Sequence, residues 1–310
     1  MSELYPHIHP DFQHLMLLDD ERRIESLHEP LWINYPKSDH IIQYLGQMLR
    51  YPKKPRMQGV LIIGDSNIGK TSIINHFISL HPDSMMEDEF QTTRAYKPVI
   101  YAKMQTSEEK DLYISILQNF WSPFRSSDSL TKLRYQTISL MRECNVRMLI
   151  LDEIQNLLRG TAMKQRIMMD AIKNLSNELM IPIIGAGTQE AVAVLSTEPQ
   201  LNTRFDTITL PKWDMDKNFR AMIVALEKRL PLKKPSRLDT KEKALLIYKI
   251  SRGNLGDLHR LLIVSTEYAI RHGIEEITVE VIKKHSWIMR EDNRAREIIF
   301  DTDTAISTKG

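Results

Sequence analysis

The chain has 310 residues, 42% of them hydrophobic and 26% charged, and its 42 Lys and Arg against 40 Asp and Glu leave a formal net charge of +2. That length holds two packed units, and the charge balance excludes a strong global field, so any nucleic-acid surface must be a local patch. A single cysteine, Cys144, excludes an internal disulfide and fits a reducing cytosol. No apolar run nears the ~18 residues of a membrane span, and Met1–His9 lacks the charged-then-apolar pattern of a secretion signal.

In chain order, Met1–Asp11 is rich in Pro and His and reads as an arm. His7 and His9 have no third ligand nearby, and no Cys/His set has zinc spacing. Asp19–His28 is charged and reads as a short helix. Ser38–Arg50 places Ile41, Ile42, Leu45, Met48 and Leu49 on one helical stripe, ended by the Pro-rich turn Tyr51–Pro55. From Gly59 short β runs alternate with helices. The strands are Val60–Ile63, Val99–Lys103, Met148–Leu151, Ile181–Ala186 and Thr207–Leu210. The helices between them are Ser72–Leu80, Glu108–Phe120, Ser129–Cys144 and Met163–Met180. This alternation predicts an α/β core with a parallel sheet sandwiched by helices, and a ligand at the carboxyl ends of its strands. After Pro211 the pattern is nearly all helical from Asp216 to Trp287. Asp239-Thr-Lys-Glu242 reads as a capping box, Leu255–Ile270 as an amphipathic helix and Thr278 as the cap of another. Arg290–Gly310 has mixed charge and little periodicity, and reads as a flexible tail.

Residues 64–71 spell Gly-Asp-Ser-Asn-Ile-Gly-Lys-Thr, a complete G-x-x-x-x-G-K-T phosphate loop between a strand and a helix. Gly64 and Gly69 let the backbone curl, so that the N–H groups of Asp65, Ser66, Asn67, Ile68 and Gly69, with those of Lys70, Thr71 and Ser72, can face phosphate oxygens. Lys70 would reach the β- and γ-phosphates of ATP, and Thr71 would hold Mg²⁺. Met148-Leu-Ile-Leu-Asp152-Glu153 is a buried strand with two carboxylates at its exit. Asp152 would bind Mg²⁺ through water, and Glu153 would polarise the water that attacks the γ-phosphate. The next strand ends Gly185-Ala-Gly-Thr188-Gln189. Thr188, with Gln189 as the alternative, would orient that water or sense the γ-phosphate. In Leu201-Asn-Thr-Arg204-Phe205-Asp206, Arg204 would act in a neighbouring subunit's site, where an added positive charge stabilises the transition state. In Gly253-Asn-Leu-Gly256-Asp-Leu-His259-Arg260, a basic residue would touch the γ-phosphate from the helical unit, in a register open between His259 and Arg260.

Phosphate loop, Asp-Glu strand, polar strand end, Arg-Phe box and helical lid, in that order, resemble an AAA+ ATPase. His9-Pro10-Asp-Phe12, Trp32-Ile33-Asn-Tyr35, Pro55-Arg56-Met57, Ile63-Gly-Asp-Ser-Asn67, Leu151-Asp-Glu-Ile154-Gln-Asn156 and Gly185-Ala-Gly-Thr188 sharpen the likeness to the TniB/TnsC family of Tn7-like and Mu-like DNA transposition. The resemblance implies an AAA+ core over 38–212, a helical lid over 213–288, a tail over 289–310, and an N-terminal arm with an adenine-side segment over 1–37, with Ile33 and Tyr35 near the base. It also implies an ATPase that assembles as a ring or helical filament on double-stranded DNA, with Lys103 facing the DNA. Such a protein recruits a DDE transposase, with or without a target-selection protein, and works in the bacterial cytosol without a membrane. A helicase loader, a weakly hydrolysing switch and a small-molecule kinase are the competing readings. Glu153 argues against the switch, and the lid and Arg-Phe box argue against the kinase.

Overall fold

A computed structural model of the chain describes residues 5–30, 32–87, 93–196 and 203–288. The tail expected over 289–310 lies outside them. The chain divides into two compact units, Asn34–Pro211 and Met1–Ile33 with Lys212–Gly310.

The Asn34–Pro211 unit is built on a five-stranded sheet. Its strands are β1 (Gly59–Gly64), β4 (Val99–Lys103), β5 (Met148–Asp152), β6 (Ile183–Gly187) and β7 (Phe205–Leu210), in the order β4-β5-β6-β1-β7. Every pairing is parallel. β1, β5 and β6 are buried along their whole lengths. Helices on both faces require this, and it explains why these strands read as unbroken apolar runs instead of alternating ones. On one face Leu61, Ile63, Ile100, Ala102, Leu149, Leu151 and Ile183 share a core with α4 (Glu109–Leu117), α5 (Leu130–Glu143) and α6 (Ala162–Leu179). α3 (Lys70–Ser79) packs on β1 and β6, α2 (Pro36–Arg50) packs on α3, and the short α7 (Ala191–Ser196) follows β6. The Ser129 and Thr161 hydroxyls cap α5 and α6 by accepting backbone N–H groups. Ile181 precedes β6, because Pro182 cannot donate to the ladder. A two-stranded antiparallel hairpin, β2 (Ser84–Glu87) with β3 (Thr93–Tyr96), stands between α3 and β4. Its strands lack a buried face, so no alternating apolar signal announced it.

The other unit joins the N-terminal segment to the C-terminal helices α8 (Lys217–Glu227), α9 (Lys241–Ser251), α10 (Leu255–Arg271) and α11 (Val279–Lys284). The His9 N–H donates to the Lys228 carbonyl at 2.7 Å, and α1 (Asp20–Ser26) lies on α10. Arg23, 1% exposed, donates to both Glu275 oxygens at 3.0 and 2.7 Å and to the Pro231 carbonyl at 2.8 Å. These bonds make residues 5–28 part of the helical unit; of these the sequence read those up to Asp11 as an arm and Asp19–His28 as a short helix, and α1 occupies the latter. The Thr278 hydroxyl caps α11 as expected. The capping box expected at Asp239–Glu242 does not form. Thr240 is the N-cap, and its hydroxyl donates to the Arg237 carbonyl at 3.0 Å, the local alternative open to a threonine.

Candidate functional site

The site forms where β1, β5 and β6 end. β1 delivers Gly64, at which a Cβ would sit 2.7 Å from the Leu210 carbonyl oxygen, so no larger residue fits. Asn67 (φ 62°) and Gly69 (φ 102°) then take left-handed backbone, which wraps the loop and starts α3 at Lys70. The unpaired N–H groups of that first turn, with the positive end of the helix, make an anion seat. Lys70 is 9% exposed, and its ammonium donates to the Gly64 and Asp65 carbonyls at 2.8 Å each. Burial lowers its pKa, against the opposing pull of Asp152, Glu153 and Asp65.

Asp152 is 2% exposed. Its Oδ2 accepts hydrogen bonds from the Thr71 hydroxyl at 3.0 Å and the Tyr101 hydroxyl at 2.8 Å, while Oδ1 accepts the Glu153 N–H at 2.8 Å. Burial and the Asp152 charge hold the Tyr101 phenol well above its ordinary pKa, so it stays a donor. Tyr101 was invisible to sequence reasoning, since its place in the middle of β4 reads as core.

Glu153 leaves the strand in left-handed backbone (φ 57°, ψ 37°), which turns its side chain away from the strand path. Its Oε2 accepts the Gln155 side-chain amide at 2.6 Å, and the other end of that amide accepts the Thr188 N–H at 3.2 Å. Gln155 thus bridges the acidic strand to the end of β6. The bridge needs Gly187, where a Cβ would lie 2.5 Å from Gln155 Oε1. The Thr188 hydroxyl oxygen is buried without a hydrogen-bond partner. An orphaned hydroxyl beside a braced carboxylate suits a bound water or phosphate oxygen. Gln155 lies in the stretch Leu151-Asp-Glu-Ile154-Gln-Asn156, but only the fold reveals its two partners.

The phosphate loop, Thr71, Asp152, Glu153 and Thr188 therefore converge. Lys103, exposed at the exit of β4, is in register with Asp152. Arg204 lies at the other end of the sheet: its carbonyl accepts the Gly59 N–H at 2.8 Å, and its guanidinium donates to Asn177 Oδ1 at 3.0 Å. The length of β1, about 20 Å for its six residues, separates it from the phosphate loop of its own chain. Tyr35 caps α2, and burial with Asp39 lifts its phenol to about 12. Ile33 ends the first stretch of the helical unit. In that unit the Arg260 guanidinium lies 5.4 Å over the Trp287 ring, while burial and His28 lower the pKa of His259.

The donors fit Mg²⁺ with a nucleoside triphosphate: one hydroxyl and one carboxylate, leaving other positions to water and phosphate oxygens. Among the described residues no group of three or more His, Cys, Asp or Glu could hold a metal by itself. Nor is any of their helices long and apolar enough to cross a membrane.

A family model described as "Bacterial TniB protein" matches residues 23–215. No curated protein matches. Among solved structures, the Aeropyrum pernix ORC2 protein (ADPNP-ADP complexes) is 15% identical with TM-score 0.60, over 86% of this chain and 70% of that one. CDC6P from Pyrobaculum aerophilum is 19% identical with TM-score 0.59, over 87% and 70%. The Aeropyrum pernix ORC1 protein in complex with DNA is 18% identical with TM-score 0.59, over 88% and 68%. At these identities the likeness is one of fold: the AAA+ phosphate-loop core with a helical C-terminal region.

Proposed function

The chain belongs to the TniB family, and from that premise we propose that it is an ATP-dependent regulator of DNA transposition. It binds ATP with Mg²⁺, oligomerises on double-stranded DNA, recruits a DDE transposase, and hydrolyses ATP to control that assembly. The observation that carries the nucleotide part is the meeting of Thr71 and Asp152 at 3.0 Å, which brings the phosphate loop and the acidic strand into one polar centre.

Bound Mg²⁺·ATP supplies the phosphoanhydride to be cleaved and the charge that neutralises its oxygens. The residues do the rest. Lys70, now donating to two main-chain carbonyls, offers those donors to phosphate oxygens. Thr71 and Asp152 hold the cation and its waters. Glu153 takes the proton of the attacking water, and Thr188 orients that water. Arg204, remote from its own phosphate loop, acts in the neighbouring subunit. Ile33 and Tyr35 flank the base, and Arg260 or His259 relays nucleotide state to the lid. Lys103 meets the DNA backbone. A helicase loader would share this engine; the TniB match favours transposition.

The test is negative-stain microscopy of the chain with duplex DNA, with and without a non-hydrolysable ATP analogue. Rings or filaments that need both are expected. Dispersed monomers under every condition would overturn the DNA-assembly reading.

A further inference from the structure

A concentration of positive charge lies at the opposite end of the sheet from the phosphate loop. From His40 to Gly64 the chain contains no Asp or Glu, yet it carries Arg50, Lys53, Lys54 and Arg56 around the turn before β1. All four are exposed. The fold adds two more cations from a distant part of the chain. Arg147, just before β5, donates to the Tyr51 carbonyl at 2.8 Å and so pins the turn. Arg142, at the end of α5, is close enough with Arg147 for both, after burial, to lower the pKa of Lys53.

Internal pairing neutralises this crowding only in part. Among the described residues Lys53, Lys54 and Arg56 have no carboxylate partner. Among the described residues Arg142 is the cation of this group that has a carboxylate partner, Glu178, which it shares with Arg134; Asp206 accepts hydrogen bonds from the uncharged Gln58 and Tyr44, and Asp83 pairs with Lys97. Like charges held together cost free energy that an external polyanion relieves. Pro52 and Pro55 stiffen the turn, so presenting its cations forfeits little chain entropy. An acidic peptide would want an apolar anchor, and the exposed large hydrophobic residue in this turn is Tyr51 alone. Tyr51, 39% exposed among cations, carries a hydroxyl that suits a sugar–phosphate backbone.

We propose that the turn Arg50–Arg56, with Arg142 and Arg147, is a sequence-independent binding surface for the phosphodiester backbone of duplex DNA, separate from Lys103 at the other end of the sheet. It rests on the reading that the chain binds duplex DNA, and on neither hydrolysis nor a role for Lys103.

The test uses the full chain with a non-hydrolysable ATP analogue and a fluorescent duplex of arbitrary sequence, titrated by anisotropy across a range of salt. The variant is Lys53→Gln with Lys54→Gln and Arg56→Gln, all exposed positions. Binding should weaken about tenfold or more, and the slope of log affinity on log salt should fall by about 2 to 3 per protomer. Binding of a fluorescent ATP analogue should be unchanged, and the charge-preserving Lys53→Arg with Lys54→Arg should bind DNA as wild type does. Unchanged affinity and slope in the glutamine variant would overturn the surface while leaving the proposed function intact. Weaker binding at an unchanged slope would also overturn it, because the turn would then act on assembly. If the wild type itself fails to bind duplex DNA, the DNA part of the proposed function falls as well.

Discussion

Replacing Arg23 with Met tests how the N-terminal segment is held in the helical unit. Arg23 is 1% exposed and bonds Glu275, Asp20 and the Pro231 carbonyl. Methionine keeps much of the volume and removes every donor, leaving Glu275 buried with Lys233, whose side chain is 52% exposed. Breaking a buried pair this way costs about 3–5 kcal/mol. The acid dependence carries a second signature. Burial alone would raise the Glu275 carboxyl, but hydrogen bonds from Arg23 and Lys233 override it and pull the pKa from 4.5 down to about 2. The folded protein therefore binds fewer protons than the unfolded chain between those values. The stabilisation is complete above about 4.5 and is lost as pH falls toward 2. The whole shift corresponds to about 3 kcal/mol, and screening through exposed Lys233 brings the expected contribution to about 2 kcal/mol. Urea unfolding followed by tryptophan emission reads the right unit: of the four tryptophans, Trp32, Trp213 and Trp287 belong to it, and Trp121 is already fully exposed in the fold. The wild type should lose stability between pH 4.5 and 2, and Arg23→Met should start lower with a flatter acid limb. A loss under about 1 kcal/mol at pH 7, or an acid limb parallel to the wild type, would refute the reasoning.

Lys70→Ala should abolish ATP binding and with it DNA assembly; filaments indistinguishable from wild type by microscopy would sink the ATP-driven reading. Glu153→Gln should bind ATP and trap assemblies on DNA, and wild-type phosphate release would remove Glu153 from its role. Arg204→Ala should cost hydrolysis while sparing nucleotide affinity of the isolated subunit; an isolated wild-type monomer that hydrolyses at full rate, matched by the variant, rules out action in trans. Gln155→Ala removes a hydrogen bond to a carboxylate, worth about 1.5–3 kcal/mol, so turnover should slow about ten- to a hundredfold with nucleotide affinity held. A change in affinity alone would mean that Gln155 serves binding and not the aim of Glu153.

Much of this protein was legible in the chain itself. The apolar runs of β1, β5 and β6 declared a buried parallel sheet, because strands covered on both faces cannot alternate with polar residues. The eight residues Gly64–Thr71 declared the phosphate loop, because its geometry is local and needs glycine at set offsets. The Asp152-Glu153 pair declared itself by standing at the exit of a strand. Tertiary structure decided what local pattern cannot encode. Arg23 reads as a charged surface residue until Glu275, 252 positions away, arrives beside it. Tyr101 and Gln155 look like core and linker until packing brings one hydroxyl to Asp152 and one amide between Glu153 and Thr188. Arg142 and Arg147 join the basic turn at Tyr51 only because β1 and β5 share a sheet. Periodicity and motif spacing are properties of neighbouring residues. Which distant side chains satisfy one another's charges and hydrogen bonds is settled only when burial denies them water.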